Sequence, residues 1–397
     1  MPAGHHTLCV LLCVLCSLCV LCASAAAQEP AGPQPVPAAQ LTAAIGKLGD
    51  LDYTTRSNAA RTIRRTPASQ AVPALLQAVA EQADGYVRYR ALVLLTGFND
   101  PRAKDAMRES LASPNDRLRA VAYSFFEHNP DQGMIPQLVA ALDKEQGEFV
   151  RPELVRALAA QGADERVRQA LVREVARGED FFRSAVIEAF GDHKAQYAFD
   201  QLASIARLEG PLQDDAAIAL GKIGDKRALE PLAAIQRTAP KPTQPSIAAA
   251  ICLLGVNCES HHGYLADVVK FANENAGYQE MLRGAAAGLG ALAVAGRAEA
   301  AESLLAASAG ANDSTRAPVA LAFATVALRN TPLMMALLER QADRANAMTL
   351  LAEGFDMLEE DLDKERFFTF ARRSYWEAAE SSPRRALMQS LIGKLDF

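Results

Sequence analysis

The chain has 397 residues, 50% of them hydrophobic and 6% aromatic, with a formal net charge of -6. This length exceeds one ordinary compact domain, so several domains or one extended array are expected. The acidic balance argues against nonspecific binding to nucleic acid or anionic lipid, although Arg56 to Arg119 carries eleven basic residues against six acidic ones.

Residues 1–27 read as a targeting segment. Leu8 to Cys22 is an uncharged apolar run, and Ala25, Ala26 and Ala27 fit a small-residue cleavage site. The run is short for a membrane span, which needs roughly 20 residues. Its n-region lacks Lys and Arg and offers only His5 and His6. A lipoprotein site would need a small residue before its Cys, whereas Leu21 precedes Cys22. Export to the periplasm or the secreted space is therefore expected. Five of the seven Cys leave with this segment, so Cys252 and Cys258 remain and packing must hold the fold. Residues 28–38, with Pro30, Pro33, Pro35 and Pro37, read as an extended linker.

From residue 39 the pattern is helical and repetitive. Arg56, Arg88, Arg119, Arg151 and Arg183 follow one another at steps of 32, 31, 32 and 32, and the series resumes at Arg283 and Arg316. An acid precedes most of these by three or four positions, as Asp52, Asp84, Asp116, Glu148, Asp180, Glu280 and Asp313. A second series runs out of phase: Ser69, Asp100, Asp131, Asp164, Asp192 and Asp225. Asp and Ser accept bonds from the orphan N–H groups of a first helical turn, so the two series mark two helix starts per repeat. Between them the apolar spacing is helical, as in Val87, Ala91, Leu94, Leu95 and Phe98. One such hairpin cannot bury both faces, but stacked copies can. The expected fold is all-α, an α-solenoid of about ten helix pairs over 39–362, with an aromatic-rich helical cap over 363–397.

The segment Asp215 to Leu232 (DAAIALGKIGDKRALEPL) resembles the short HEAT repeat of the phycobilisome-lyase type, in which a helix ending Ala-Leu-Gly-x-Ile-Gly-Asp precedes Arg-Ala-x-x-Pro-Leu. Phe190-Gly191-Asp192 and Phe98 to Ala103 are similar but degenerate. The resemblance covers about residues 40–330. It implies the solenoid, and it implies an inter-repeat ladder in which Arg56, Arg88, Arg119, Arg151, Arg183, Arg283 and Arg316 reach the acid of a neighbouring repeat.

Outside that ladder, Arg61, Arg64 and Arg65 share a helix with Arg56. They form either a solvated face or an anion- or partner-binding patch at the mouth of the concave side. Cys252, Cys258, His261 and His262 are the sole cluster of metal-ligand types, at a spacing unusual for zinc. In an oxidising compartment a Cys252–Cys258 disulfide is the first expectation, ahead of free thiols and a metal site. Gly284, Gly288 and Gly290 fit close helix approach rather than a dinucleotide loop. Phe367, Phe368, Phe370, Tyr375 and Trp376 fit either a terminal cap or an aromatic docking surface.

No nucleophile elbow, zinc-protease helix or phosphate loop is present. The expected function is thus a non-catalytic, protein-binding scaffold outside the cytoplasm, using the concave face and no cofactor. Nucleic acid is not an expected partner, and nothing after residue 27 is apolar and long enough to span a bilayer. The alternatives are a lyase-like or chaperone-like partner acting on a cofactor-bearing protein, and an envelope spacer.

Overall fold

The computed structural model describes residues 29–342 and 344–397. The targeting segment expected at 1–27 lies outside them. Among the described residues twenty helices form ten pairs, two more close the chain, and there is no strand. The first helices of the pairs are α1 (Ala38–Gly46), α3 (Ala68–Glu81), α5 (Arg102–Ser110), α7 (Ile135–Ala141), α9 (Glu165–Glu174), α11 (Phe199–Ala206), α13 (Leu229–Thr238), α15 (Cys258–Glu274), α17 (Ala298–Ser308) and α19 (Thr331–Arg340). The second helices are α2 (Tyr53–Arg65), α4 (Gly85–Thr96), α6 (Asp116–His128), α8 (Arg151–Ala159), α10 (Asp180–Asp192), α12 (Gln213–Ile223), α14 (Gln244–Leu253), α16 (Gln279–Val294), α18 (Asp313–Arg329) and α20 (Arg344–Met357). The closing helices are α21 (Asp361–Glu377) and α22 (Pro383–Leu395).

Second helices of successive pairs pack closely along the array, whereas first helices scarcely touch one another. The second helices therefore line the concave side. Their composition explains the crowding. In α14, Ile247, Ala248, Ala249, Ala250, Ile251 and Cys252 are all buried, as a helix apolar on every side must be. Small residues set the spacing. A Cβ on Gly221 would come within 2.7 Å of the Ala250 Cα, and one on Gly288 within 2.9 Å of the Ala249 Cβ. The abundance of Ala and the scarcity of aromatics follow from this close approach.

The caps follow the two series only in part. Asp52 accepts from the Thr55 N–H, Asp84 from Tyr86, Asp100 from Arg102, Asp131 from Gly133, Asp164 from Arg166 and Asp225 from Arg227. Asn115 and Asn312, not Asp116 and Asp313, occupy the N-cap positions of α6 and α18. Ser69 lies inside α3, and Asp192 ends α10, where it pairs with Lys222 at 2.6 Å.

The Arg ladder needs a similar correction. Its common partner is a carbonyl left without an intrahelical donor at or just beyond the end of the preceding helix, where a cation also meets the negative end of the helix dipole. Arg88 donates to Val79 O, Arg119 to Ser113 O, Arg183 to Val175 O and Arg316 to Ser308 O. Arg56 donates to Asp50 O and Leu51 O in the turn. Only two members also reach a carboxylate of the next repeat: Arg119 grips Glu145 at 2.7 and 2.9 Å, and Arg316 reaches Glu353 at 2.6 Å. Arg151 lies over the Phe182 ring at 3.6 Å, and the exposed Arg283 pairs with Glu280 of its own helix.

Arg119→Ala is expected to cost about 1.5–3 kcal/mol in urea unfolding, the range for hydrogen bonds to a charged group. Arg283→Ala should stay within about 0.5 kcal/mol. The hydrogen bond from Arg119 holds the Glu145 carboxyl below its usual range against burial. That stabilisation is complete above the ordinary carboxylate range and is lost as pH falls through the depressed value. The Arg119→Ala penalty should shrink in acid; a penalty independent of pH would contradict the pairing.

The superhelix closes on itself instead of extending as an open curved rod. Helix α21 packs against α18 and crosses to α4 and α6, while α22 packs on α20 and α19. The Pro-rich segment is likewise anchored rather than a free linker. Glu29 is buried, Gln34 N donates to Arg65 O at 2.7 Å, and Val36 N to Gln70 Oε1 at 3.3 Å. No single described helix is long and apolar enough to cross a membrane; α18 and α19 pass that test only as a pair bent by 114°.

Candidate functional site

Arg61, Arg64 and Arg65 stand at helical spacing on α2, so one face carries all three. The structure places that face at a seam where the two ends of the array meet. Arg64 donates from Nε to Glu365 Oε1 at 2.9 Å and from Nη2 to Glu365 Oε2 at 2.5 Å. The two side chains are 7% and 1% exposed. Arg65 holds Glu29 Oε2 at 2.9 and 2.5 Å, and Glu29 Oε1 accepts from Arg372 Nε at 3.1 Å. Tyr375 donates its hydroxyl to Glu29 O at 2.8 Å, and the Trp376 indole N–H goes to Pro30 O at 3.0 Å. Arg61 pairs with Asp396, whose backbone carbonyl also accepts from Ser57 Oγ at 2.8 Å. The expected free patch is therefore spent on the chain's own acids. Those acids are contributed by the arm, 36 residues from Arg65, and by α21 and the residue after α22, 301 and 335 residues from their partners.

A second cluster fills the lumen. Glu127 and His128 end α6, His193 follows α10, Arg329 ends α18, and Asp363 lies in the first turn of α21. His128 Nε2 lies 2.7 Å from Asp363 Oδ1, though off the line a strong hydrogen bond prefers. His193 Nε2 is 3.3 Å from Glu127 Oε1, and Arg329 Nη1 is 3.5 Å from both Glu127 and Asp363. Burial pushes the Glu127 carboxyl up, but His193, Arg329, His128 and Arg156 together outweigh it and hold it below its ordinary range. Elsewhere in the lumen burial wins. It raises the carboxyls of Glu153 and Glu188, and Asp215 adds repulsion at Glu188. The Glu188 side chain is exposed, so water reaching it weakens that upward push. Sequence reasoning missed this cluster. Its trace is Glu127-His128 and Asp192-His193, which end second helices two periods apart.

The Cys252–Cys258 pair forms a disulfide that joins the end of α14 to the start of α15. Both thiols are thereby removed from the weak metal candidate. His262 Nε2 lies 3.0 Å from Ser303 Oγ, and burial lowers the pKa of His261. Among the described residues no group of three or more His, Cys, Asp or Glu is placed to hold a metal ion. Gly288 and Gly290 of the Gly-rich helix abut Ala249 and Ala322, which is the close approach their spacing suggests.

An outer feature also escaped the sequence reading. Tyr53, Tyr86, Phe149 and Phe181 stand at or near the starts of α2, α4, α8 and α10, with exposures of 62, 36, 72 and 57%. Arg117 takes the equivalent place on α6, its guanidinium 5.8 Å from the Tyr86 ring centre. Three of the aromatics sit two residues before a ladder Arg, so the same rim of successive repeats presents them. Leu208, 68% exposed, lies in the next loop along.

Residues 41–125 match the family model for HEAT repeats. No functionally curated protein matches the chain. Among solved structures, the Escherichia coli protein YibA is 18% identical over 56% of this chain and 83% of its own, with a TM-score of 0.41. The CpcE–CpcF complex of phycocyanin lyase from Nostoc is 20% identical over 55% and 88%, with a TM-score of 0.35. Importin beta is 13% identical over 90% of this chain and 59% of its own, also with a TM-score of 0.35. The stretch that matches the HEAT-repeat model, residues 41–125, opens an α-solenoid whose helix pairing continues to Met357.

Proposed function

We propose that the protein is a non-catalytic binding scaffold, exported to the cell envelope or beyond, that holds a protein partner along its aromatic rim. The α-solenoid supports the scaffold reading, since stacked pairs supply a large preorganised surface. The rim is favoured over the concave face because α21 occupies the concave side across α4, α6 and α18. The observation that carries the reading is the pair Phe149 and Phe181, exposed at one register on adjacent repeats. Exposed aromatics aligned in this way mark association surfaces, and buried aromatic anchors dominate interface energies.

The test compares the wild-type chain with Phe149→Ser combined with Phe181→Ser, each used as bait in the native envelope fraction. The melting temperature should be unchanged, because neither ring is in the core. Recovery of the wild-type partner should fall at least about tenfold, as for loss of an interface anchor. Equal recovery by both baits would rule out the rim, and a cytoplasmic location of the native chain would rule out export.

A further inference from the structure

The Pro-rich arm, residues 29–37, is seated on the rest of the chain as a bound peptide would be. Glu29 is its one buried residue, while Ala31, Pro33, Gln34 and Pro35 are exposed. We propose that the seam is a recognition groove for an acidic, proline-rich segment of a partner protein, and that the arm fills it as a tethered stand-in. The segment recognised is a Glu-Pro pair followed by an extended, proline-rich run. Its binding is independent of what the aromatic rim holds.

Charge complementarity is the first ground. The Glu29 carboxylate has no exposed surface. It is gripped from two sides, by Arg65 Nε and Nη2 at 2.9 and 2.5 Å and by Arg372 Nε at 3.1 Å. Two guanidinium groups around one carboxylate select an acidic residue. A partner's glutamate replaces Glu29 rather than joining it, so the groove takes up no additional acid beside Glu365.

The second ground is that the chain around this anchor is read through its backbone. Glu29 N donates to Gln389 Oε1 at 3.0 Å, Glu29 O accepts from the Tyr375 hydroxyl at 2.8 Å, and Pro30 O accepts from the Trp376 indole N–H at 3.0 Å. Farther along, Gln34 N donates to Arg65 O at 2.7 Å. Gln70 brackets Val36, accepting from its N–H and donating to its carbonyl, both at 3.3 Å. Side chains of α3, α21 and α22 thus satisfy a backbone that no helix or sheet pairs. Such contacts require an extended chain and leave the exposed positions free in identity. Proline suits them, because its fixed φ lowers the entropy lost on binding. Pro37, at φ -55° and ψ 141°, has the polyproline geometry.

The groove persists when the arm lifts, because Arg64 and Glu365 join α2 to α21 directly and α22 packs on α20 and α19. The arm runs straight into α1 at Pro37, so it competes as a tethered ligand at roughly millimolar effective concentration. A free segment therefore binds the wild-type chain weakly.

Trp376 is the only tryptophan of the chain, so its emission reports whether the groove is filled. The test uses the full chain carrying Glu29→Ala and the acetylated peptide EPAGPQPVP, the sequence of the arm itself. Glu29→Ala should shift the Trp376 emission, and the peptide should bind one-to-one and restore it. Wild type should bind the peptide at least about tenfold more weakly, because its own arm competes. A peptide with Gln in place of Glu should also lose at least about tenfold, as expected for a charge-assisted bond. Glu29→Gln, which fills the same space, provides the same comparison if Glu29→Ala does not fold. No binding to either variant, equal binding of the Gln peptide, or equal binding to wild type would each overturn the assignment.

Discussion

Replacing Arg64 by Ala should lower the unfolding free energy by about 3–5 kcal/mol, the cost of removing one partner from a buried ion pair. The side chain spans the seam, and Glu365, at 1% exposed, would lose its one direct ion-pair partner. Read locally, Arg64 belongs to a cationic helix face whose loss a stable fold should tolerate. The structure reverses that expectation, because the two-point bond to Glu365 and the Phe368 ring 5.3 Å from its guanidinium make it interior. Arg61→Glu is the internal control. Asp396, its partner, is 48% exposed, and exposed pairs contribute at most about 1 kcal/mol. Urea unfolding separates the two. Hydrogen exchange should also show α21 losing protection in Arg64→Ala alone, since this contact closes the array. A loss under about 1 kcal/mol for Arg64→Ala would mean that the seam is not sealed. Replacing Arg64 and Glu365 together by apolar residues should recover most of the loss, because the penalty is mainly that of the orphaned charge.

The parts of the fold legible in the sequence are those that depend on nearest neighbours. Each repeat interacts mainly with the next, so its helix starts and apolar faces recur at about one period and can be read from that recurrence. The capping Asp residues 52, 84, 100, 131, 164 and 225 show this directly. Asp192 broke the pattern because its step from Asp164 is short, 28 residues, and it ends a helix rather than opening one. The ladder Arg was visible as a position but not as a bond, since a backbone carbonyl acceptor leaves no mark on residue identity. The closure was illegible for a related reason. Glu29, Glu365 and Asp396 are ordinary acids in their own neighbourhoods, and each has a partner at the other end of the chain. In the sequence the aromatic C-terminal stretch fits either a cap or a docking surface. The structure spends Tyr375 and Trp376 on the arm and stacks Phe368 on Phe397 with ring centres 4.0 Å apart.

The lumen gives the other large effect, and its sign depends on pH. Asp363 is 4% exposed and meets His128, Arg329 and Arg366. Burial alone would raise its carboxyl pKa. The close His128 imidazole and the charges of Arg329 and Arg366 outweigh burial and hold the group well below the usual range. Arg329 is shifted the opposite way: burial disfavours its charge, but Glu360, Asp363 and Glu127 overcome that and favour the cation. Each ion is thus tolerated in the lumen because the other is present. Asp363→Asn should therefore cost about 3–5 kcal/mol at neutral pH, since the amide fills the same space but leaves Arg329 undercompensated. A carboxyl depressed on folding contributes stability that is present above its unfolded pKa and lost as pH falls through its folded value. The gap between wild type and Asp363→Asn should accordingly be widest near neutrality and narrow in strong acid. It should respond little to salt, because ions screen a buried group poorly. Chemical unfolding at several pH values and two ionic strengths reads all of this. A constant gap, or one that widens in acid, would show that α21 is held in the lumen by packing and not by this charge.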